Sequence, residues 1–221
     1  MERLILFSKT PRLHRVKTRL AGRLNPEQAL RLHEAMLHDQ MRFLIEFRAA
    51  GREVEVCLDR PFESAELPLT LQGEGDLGAR MGRALNRAFE AGAIAAAILG
   101  ADAPTLPRRL VEEALAFVRE GADAAIVPAF DGGYVLVAAS RSVPELFRDV
   151  PWGTESVVAA TRRRAAEFGL TLAETAAWPD VDVAGDLPRL AAELSADPSR
   201  APETAAFLFT LGLYGPQNPM L

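Results

Sequence analysis

The sequence predicts an α/β fold of three layers, with a mostly parallel central sheet between helices. Three observations carry that reading. Leu4 to Ser8, Ile94 to Leu99 and Ala124 to Val127 are apolar runs of strand length that do not alternate, as in strands covered on both faces. Segments of helical length, several opened by capping residues or proline, separate these runs in an alternating order. The 221 residues are 49% hydrophobic and 25% charged, which is globular usage and enough for one core, so a single domain over 1–221 is expected.

Taken in order, Leu4 to Ser8 reads as a buried parallel strand. Asn25-Pro26-Glu27-Gln28 then announces a helix to about Ala50, with Asn25 as cap and Gln28 reaching back to it. Glu53 to Leu58 reads as a second strand, and Pro61 and Pro68 frame an irregular stretch. Asp76 caps a helix through about Ala91. Ile94 to Leu99, the most continuous apolar run, belongs at the centre of the sheet. A helix after Pro107, strands at Ala124 to Val127 and Tyr134 to Ala138, and a helix from Thr154 to about Phe168 follow. Leu170 to Thr175 is a further strand candidate, and Leu187 to Leu194 is helical. Pro202 to Tyr214 reads as a helix docked on its own domain, with a homodimer contact as the alternative, and the tail from Gly215 reads as irregular.

Several function classes fall away on composition. No apolar run approaches the ~20 residues a membrane span needs, and the first twenty residues do not form a signal peptide, so a cytoplasmic protein is expected. The single cysteine, Cys57, permits no internal disulfide and no thiol-based zinc site. A net charge of -5 argues against general nucleic-acid binding. The charge is unevenly placed, however. No carboxylate lies between Arg3 and Pro26, where Lys9, Arg12, Arg15, Lys17, Arg19 and Arg23 crowd together, so this segment reads as a local anion site.

Two motif matches are weak. His33-Glu34 with His38 misses the zinc-protease spacing by one residue, and both histidines read as helix surface. Gly73-Glu74-Gly75-Asp76-Leu77-Gly78 fits GxGxxG but lacks the strand that a dinucleotide unit places before it. The stronger signal is a set of three acidic turns. Gly100-Ala101-Asp102-Ala103-Pro104 follows the central strand, Asp131-Gly132-Gly133-Tyr134 joins two strand candidates, and Asp180 and Asp182 follow a later one. Such oxygen ligands suit Mg²⁺ or Mn²⁺, which take one or two carboxylates and complete their shell with phosphates and water. Cations on one side and a metal on the other would clamp a diphosphate.

Taken together, Lys9-Thr10-Pro11, Val16-Lys17-Thr18-Arg19-Leu20, Gly75-Asp76-Leu77-Gly78 with Arg80-Met81, the Asp102 and Asp131 turns, Pro151-Trp152-Gly153-Thr154 and Asp180-Val181-Asp182 resemble the bacterial GT-A-like glycosyltransferases. The resemblance is to the arsenosugar-biosynthesis type, related to MobA-like and 2-phospholactate nucleotidyltransferases, and it spans about residues 3 to 190. It implies a Rossmann-like nucleotide-diphospho-sugar transferase fold. It further implies nucleotide contacts from Phe7, Ser8, Lys9, Lys17, Arg19, Gly75, Asp76, Gly78, Arg80 and Ala101, with Lys9, Lys17 and Arg19 on the phosphates. Asp102 would hold the metal, Asp182 could be a second ligand, and Asp102, Lys17 and Asp131 would carry catalysis, Asp131 as general base. Asp131, Gly132, Gly133, Tyr134, Trp152, Thr154 and Glu155 would face the sugar or a small-molecule acceptor. The donor would be a nucleotide sugar or, in a nucleotidyltransferase, a nucleoside triphosphate; a non-catalytic nucleotide-binding protein is the third alternative. Three departures stand out. His14 replaces the family's usual Gly, Val183-Ala184-Gly185 replaces Thr-Pro-Glu after Asp182, and Asp102 is a lone acid in its turn rather than a full DxD.

Overall fold

The computed structural model describes residues 1–62 and 66–213. Their contacts divide them into two compact units: unit 1 is Met1–Thr10, Leu44–Gly100 and Leu106–Pro179, and unit 2 is Pro11–Phe43, Ala101–Thr105 and the chain from Asp180. The helices are α1 (Pro26–Ala49), α2 (Leu77–Glu90), α3 (Arg108–Arg119), α4 (Val157–Glu167), α5 (Leu187–Ala196) and α6 (Pro202–Thr210). Among the described residues no helix is long and apolar enough to cross a membrane.

Unit 1 holds one sheet of seven strands: β1 (Glu2–Ser8), β2 (Glu53–Leu58), β3 (Leu69–Leu71), β4 (Ala95–Gly100), β5 (Ala124–Pro128), β6 (Tyr134–Ala139) and β7 (Leu172–Glu174). Their order is β3-β2-β1-β4-β6-β5-β7, which puts β4 at the centre as its continuous apolar run predicts. All pairs are parallel except those made by β6, which runs antiparallel to both β4 and β5. The cause is the length of residues 129–133: five residues can turn a hairpin but cannot make a parallel crossover. One register of the strands, including Ile5, Phe7, Ala96, Ile98, Ile126 and Val137, packs with Met81, Ala84 and Leu85 of α2 and Val158 and Ala165 of α4. The alternate register faces the other way, where α3 lies against β4, β5 and β6 with Leu110, Val111, Ala114 and Leu115 buried.

Local chemistry sets the helix starts. Asn25 and Gln28 exchange reciprocal bonds of 2.9 Å at the start of α1, and Asp76 accepts the Ala79 amide at 2.8 Å at the start of α2. Unit 2 has its own core, in which Leu20 and Leu24 meet Leu32 and Met36 of α1, Val181, Leu187 and Leu190.

Three details differ from the sequence reading. Leu69–Leu71 forms an edge strand that three residues after Pro68 are too few to announce. Helix α4 begins at Val157 rather than Thr154, because the Thr154 hydroxyl closes the preceding turn by bonding the Pro151 carbonyl at 2.8 Å. His33 is buried, not on the helix surface, whereas His38 is exposed. Tyr214, the tail from Gly215, and residues 63–65 of the stretch framed by Pro61 and Pro68 lie outside the described residues.

Asp123 and Glu174 tie the far strands together. The Thr171 amide at 2.8 Å, with Arg141, holds the Asp123 carboxyl below its usual range, and a two-pronged pair with Arg162 does the same for Glu174. Acids depressed by folding add stability above their unfolded pKa and lose it as pH falls through the folded one. The thermal midpoint is therefore expected to drop between about pH 4 and pH 2, and Asp123→Asn to flatten part of that drop in a pH series of melting curves.

Candidate functional site

Unit 2 brings the basic segment and two of the acidic turns into direct contact. Lys17 precedes a single 3-10 turn, Thr18–Leu20, and sits in the left-handed region at φ 51°. Leu20 of that turn and Val181 share the unit 2 core, so the residues beside them are fixed with respect to one another. The Lys17 side chain is only 3% exposed, and its Nζ lies 2.5 Å from Oδ1 of Asp102. The same ammonium donates to the Val181 carbonyl, and Arg19 pairs with Asp182. Asp102 and Asp182 keep 52% and 37% of their side chains exposed, so both acids still face solvent.

The turns are braced. The Val181 amide donates to the Asp102 carbonyl at 2.9 Å, which lays residue 181 against residue 102 backbone to backbone. Gln40 of α1, itself 1% exposed, donates to the Ala103 carbonyl, and Arg200 donates to the Thr105 carbonyl at 3.1 Å, while Ala101 is buried. Oδ2 of Asp186 accepts the amides of Asp182 and Val183, both at 2.8 Å, and Arg189 donates to the Asp180 carbonyl. The turn therefore does not need a carboxylate among Val183-Ala184-Gly185. Nor does His14 unsettle the loop, because it adopts φ 60° there. Glycine suits such a backbone best, and histidine is among the few other residues enriched in it.

Unit 1 carries the remaining candidates. The Phe7 side chain is in the core, the Ser8 carbonyl accepts from Gln72 at 2.8 Å, and Lys9 is exposed. At the start of α2, Asp76 is the cap and Arg80 donates to the Gly75 carbonyl at 2.8 Å. Gly78 permits close packing: a Cβ there would lie 2.6 Å from the Phe147 carbonyl and 2.9 Å from the Trp152 ring. Trp152 in turn meets Tyr134 edge-on, with ring centroids 6.2 Å apart. The Tyr134 hydroxyl is shut away beside Thr161, and burial pushes its ionisation far above the ordinary tyrosine value. Gly132, at φ 89°, is packed against the backbone of Glu155, whose carbonyl would lie 2.0 Å from an added Cβ. Asp131, exposed, accepts the Gly133 amide at 2.8 Å, and exposed Thr154 closes its own turn. The structure thus gives Gly78, Gly132, Tyr134 and Trp152 a shared packing task, and leaves Asp131 and its neighbour Phe130 as exposed groups on this loop.

Sequence reasoning missed the Val181 carbonyl, Asp186, Gln40 and Arg200. Asp186 had a legible signal, an acid directly before the apolar start of α5, although its carboxylate bonds back to residues 182 and 183 and does not cap that helix. The other three act through backbone carbonyls, which no residue pattern marks.

Residues 35–154 match the bacterial family DUF2064, described as an uncharacterized protein conserved in bacteria, and that is more than half of the chain. The chain belongs to this family. No curated protein matches it. Among solved structures, a Desulfovibrio desulfuricans G20 protein described as a candidate nucleotide-diphospho-sugar transferase is similar to this DUF2064 protein, with 28% identity, TM-score 0.85 and 96% of each chain covered. A cytidylyltransferase from Leptospira borgpetersenii serovar Hardjo-bovis shares 12% identity at TM-score 0.54, over 100% of this chain and 99% of that one. CMP:2-keto-3-deoxy-manno-octonic acid synthetase, solved with CTP, shares 16% identity at TM-score 0.53, over 89% and 100%. At those identities the last two show a common fold alone.

Among the described residues no group of three or more His, Cys, Asp or Glu side chains is placed to hold a metal. The residues of this DUF2064 protein nonetheless fit Mg²⁺ or Mn²⁺ in the mode that needs one or two carboxylates and borrows phosphates for the rest. Asp102 already offers an oxygen to a cation, the Lys17 ammonium.

Two substitutions separate packing from contact with a ligand. Gly132→Ala should cost about 2 kcal/mol or more, seen as a midpoint roughly 5 °C lower in calorimetry. Tyr134→Phe keeps the ring that meets Trp152 edge-on and removes only a buried hydroxyl beside Thr161, so its midpoint should fall by less than that of Gly132→Ala.

Proposed function

We propose that this protein is a metal-dependent transferase that takes a nucleotide-activated donor, and that the group it moves is a glycosyl residue. The observation that carries the reading is the contact of Lys17 with both Asp102 and the turn of Val181, with Arg19 on Asp182 beside it. Cations and carboxylates in one place suit a diphosphate and a divalent ion together. The name carried by the Desulfovibrio relative, a nucleotide-diphospho-sugar transferase, supports the same class. The narrower arsenosugar-type resemblance belongs to this reading as well.

In the transfer, negative charge grows on the phosphate oxygen that leaves with the nucleotide, and stabilising that oxygen is the main demand on the protein. Lys17 and Arg19 supply positive charge on flexible stems for the phosphate oxygens. Asp102, with Asp182 as the second acid, would hold Mg²⁺ or Mn²⁺, which when bound supplies Lewis-acid charge neutralisation. The braces from Gln40, Arg200 and Asp186 fix the acidic turns before any ligand arrives, so little ordering cost falls on binding. An acceptor hydroxyl must also lose a proton, and Asp131 is the proposed base because its carboxylate is exposed and accepts from the Gly133 amide of its own turn.

The test is a thermal-shift and calorimetry panel of nucleoside diphosphates, triphosphates and nucleotide sugars, with and without Mn²⁺, followed by product analysis. A nucleotide sugar should bind with Mn²⁺ and release a nucleoside diphosphate. Asp102→Ala should weaken that binding about 10–100-fold. Pyrophosphate release from a triphosphate would replace glycosyl by nucleotidyl transfer, binding without any product would leave a nucleotide-binding protein, and unchanged affinity in Asp102→Ala would remove the metal assignment.

A further inference from the structure

The Lys17 ammonium sits where a metal ion would be expected to sit. Two oxygens of different origin converge on its Nζ: Oδ1 of Asp102 at 2.5 Å and the backbone carbonyl of Val181. The second is not a side chain at all, and it belongs to the middle residue of Asp180-Val181-Asp182, whose apolar side chain is 1% exposed and locked in the unit 2 core. A carbonyl anchored in that way keeps its position whether or not a ligand is present. Asp182 faces a different cation, the guanidinium of Arg19.

The identity of residue 17 points in the same direction. Lys9 and Lys17 are the only lysines in a chain with 25 lysines and arginines in all. Other acids among the described residues pair with arginine, as in Arg3 with Glu53, Arg52 with Glu2 and Arg162 with Glu174. A guanidinium is a broad planar fork, whereas an ammonium is a compact point charge that fits between two oxygens as a small metal ion does.

We infer that Asp102 and the Val181 carbonyl form a cation site in which the Lys17 ammonium is the resident ion, and that Mg²⁺ or Mn²⁺ binds by displacing it. The inference rests on the proposed function only in taking Asp102 as a metal ligand. It adds the Val181 carbonyl as a ligand, makes Asp182 secondary, and gives Lys17 two successive partners. While the site holds no metal, Lys17 neutralises Asp102. Once a divalent ion takes the two oxygens, the ammonium keeps its proton and is released to other acceptors, of which donor phosphates are the natural ones. No bond to hydrogen is made or broken in this exchange.

The test needs no catalytic assay. Because Lys9 and Lys17 are the only side-chain amines, labelling wild-type protein with an amine-reactive reagent and reading the two sites by mass spectrometry isolates Lys17, with Lys9 as the internal reference. Lys17, 3% exposed, should react slowly without metal and clearly faster when Mn²⁺ saturates the protein. Mn²⁺ binding, followed by electron paramagnetic resonance without nucleotide, should be tighter in Lys17→Met by about tenfold if the ammonium holds the site nine-tenths of the time. Arg19→Met controls for loss of a nearby positive charge and should change Mn²⁺ affinity far less. Labelling of Lys17 that does not rise at saturating Mn²⁺, or equal tightening in both variants, overturns the exchange. Mn²⁺ affinity that is unchanged in Asp102→Asn instead overturns the metal reading on which it rests, and the two failures are told apart by that variant.

Discussion

A buried positive charge with two oxygen partners is the constraint on which unit 2 is organised. Removing an ammonium from water is expensive unless its hydrogen bonds are replaced, and here the replacements come from segments far apart in sequence, residues 102 and 181. That requirement explains why so many neighbouring bonds end on backbone carbonyls and amides. Gln40, Arg200, Arg189 and Asp186 each place a polar atom on the main chain in or beside the two acidic turns. The apolar contacts of Leu20 and Val181 complete the arrangement from below. Polar and apolar forces are thus aimed at one outcome, which is a fixed separation between the two turns.

Much of the architecture could be read from residue types because the signals were local. Continuous apolar runs gave the central strand β4, and Asn25, Gln28 and Asp76 announced helices through capping chemistry that the structure reproduces bond for bond. The reversal of β6 was also open to inference, since five residues between β5 and β6 exclude a parallel return. What the residues could not reveal was non-local. His33 looked like helix surface because its own turn says nothing about what packs above it, and the strand at Leu69–Leu71 exists only through its pairing with β2.

The candidate site divides along the same line. Asp102 and the basic segment were visible as unusual charge in a short stretch, whereas the Val181 carbonyl is chemically identical to every other carbonyl until the fold selects it. Glycine motif positions also carry packing duties. Gly78 and Gly132 sit in ligand-like glycine motifs, yet each is occupied at close range by the protein's own Trp152 or Glu155. A glycine motif alone cannot say whether the approaching atoms belong to a nucleotide or to the chain.

The left-handed backbone at Lys17 sets one energy against another. A side chain longer than glycine's is strained at φ 51°, by an amount on the order of 1 kcal/mol, so conformation alone would favour glycine or asparagine at this position. The bonds that the ammonium makes to Asp102 and to Val181 offset that strain. A glycine or asparagine at residue 17 would relax the main chain but could not reach both oxygens with a positive charge, so comfort of the backbone and neutralisation of the carboxylate are alternatives here.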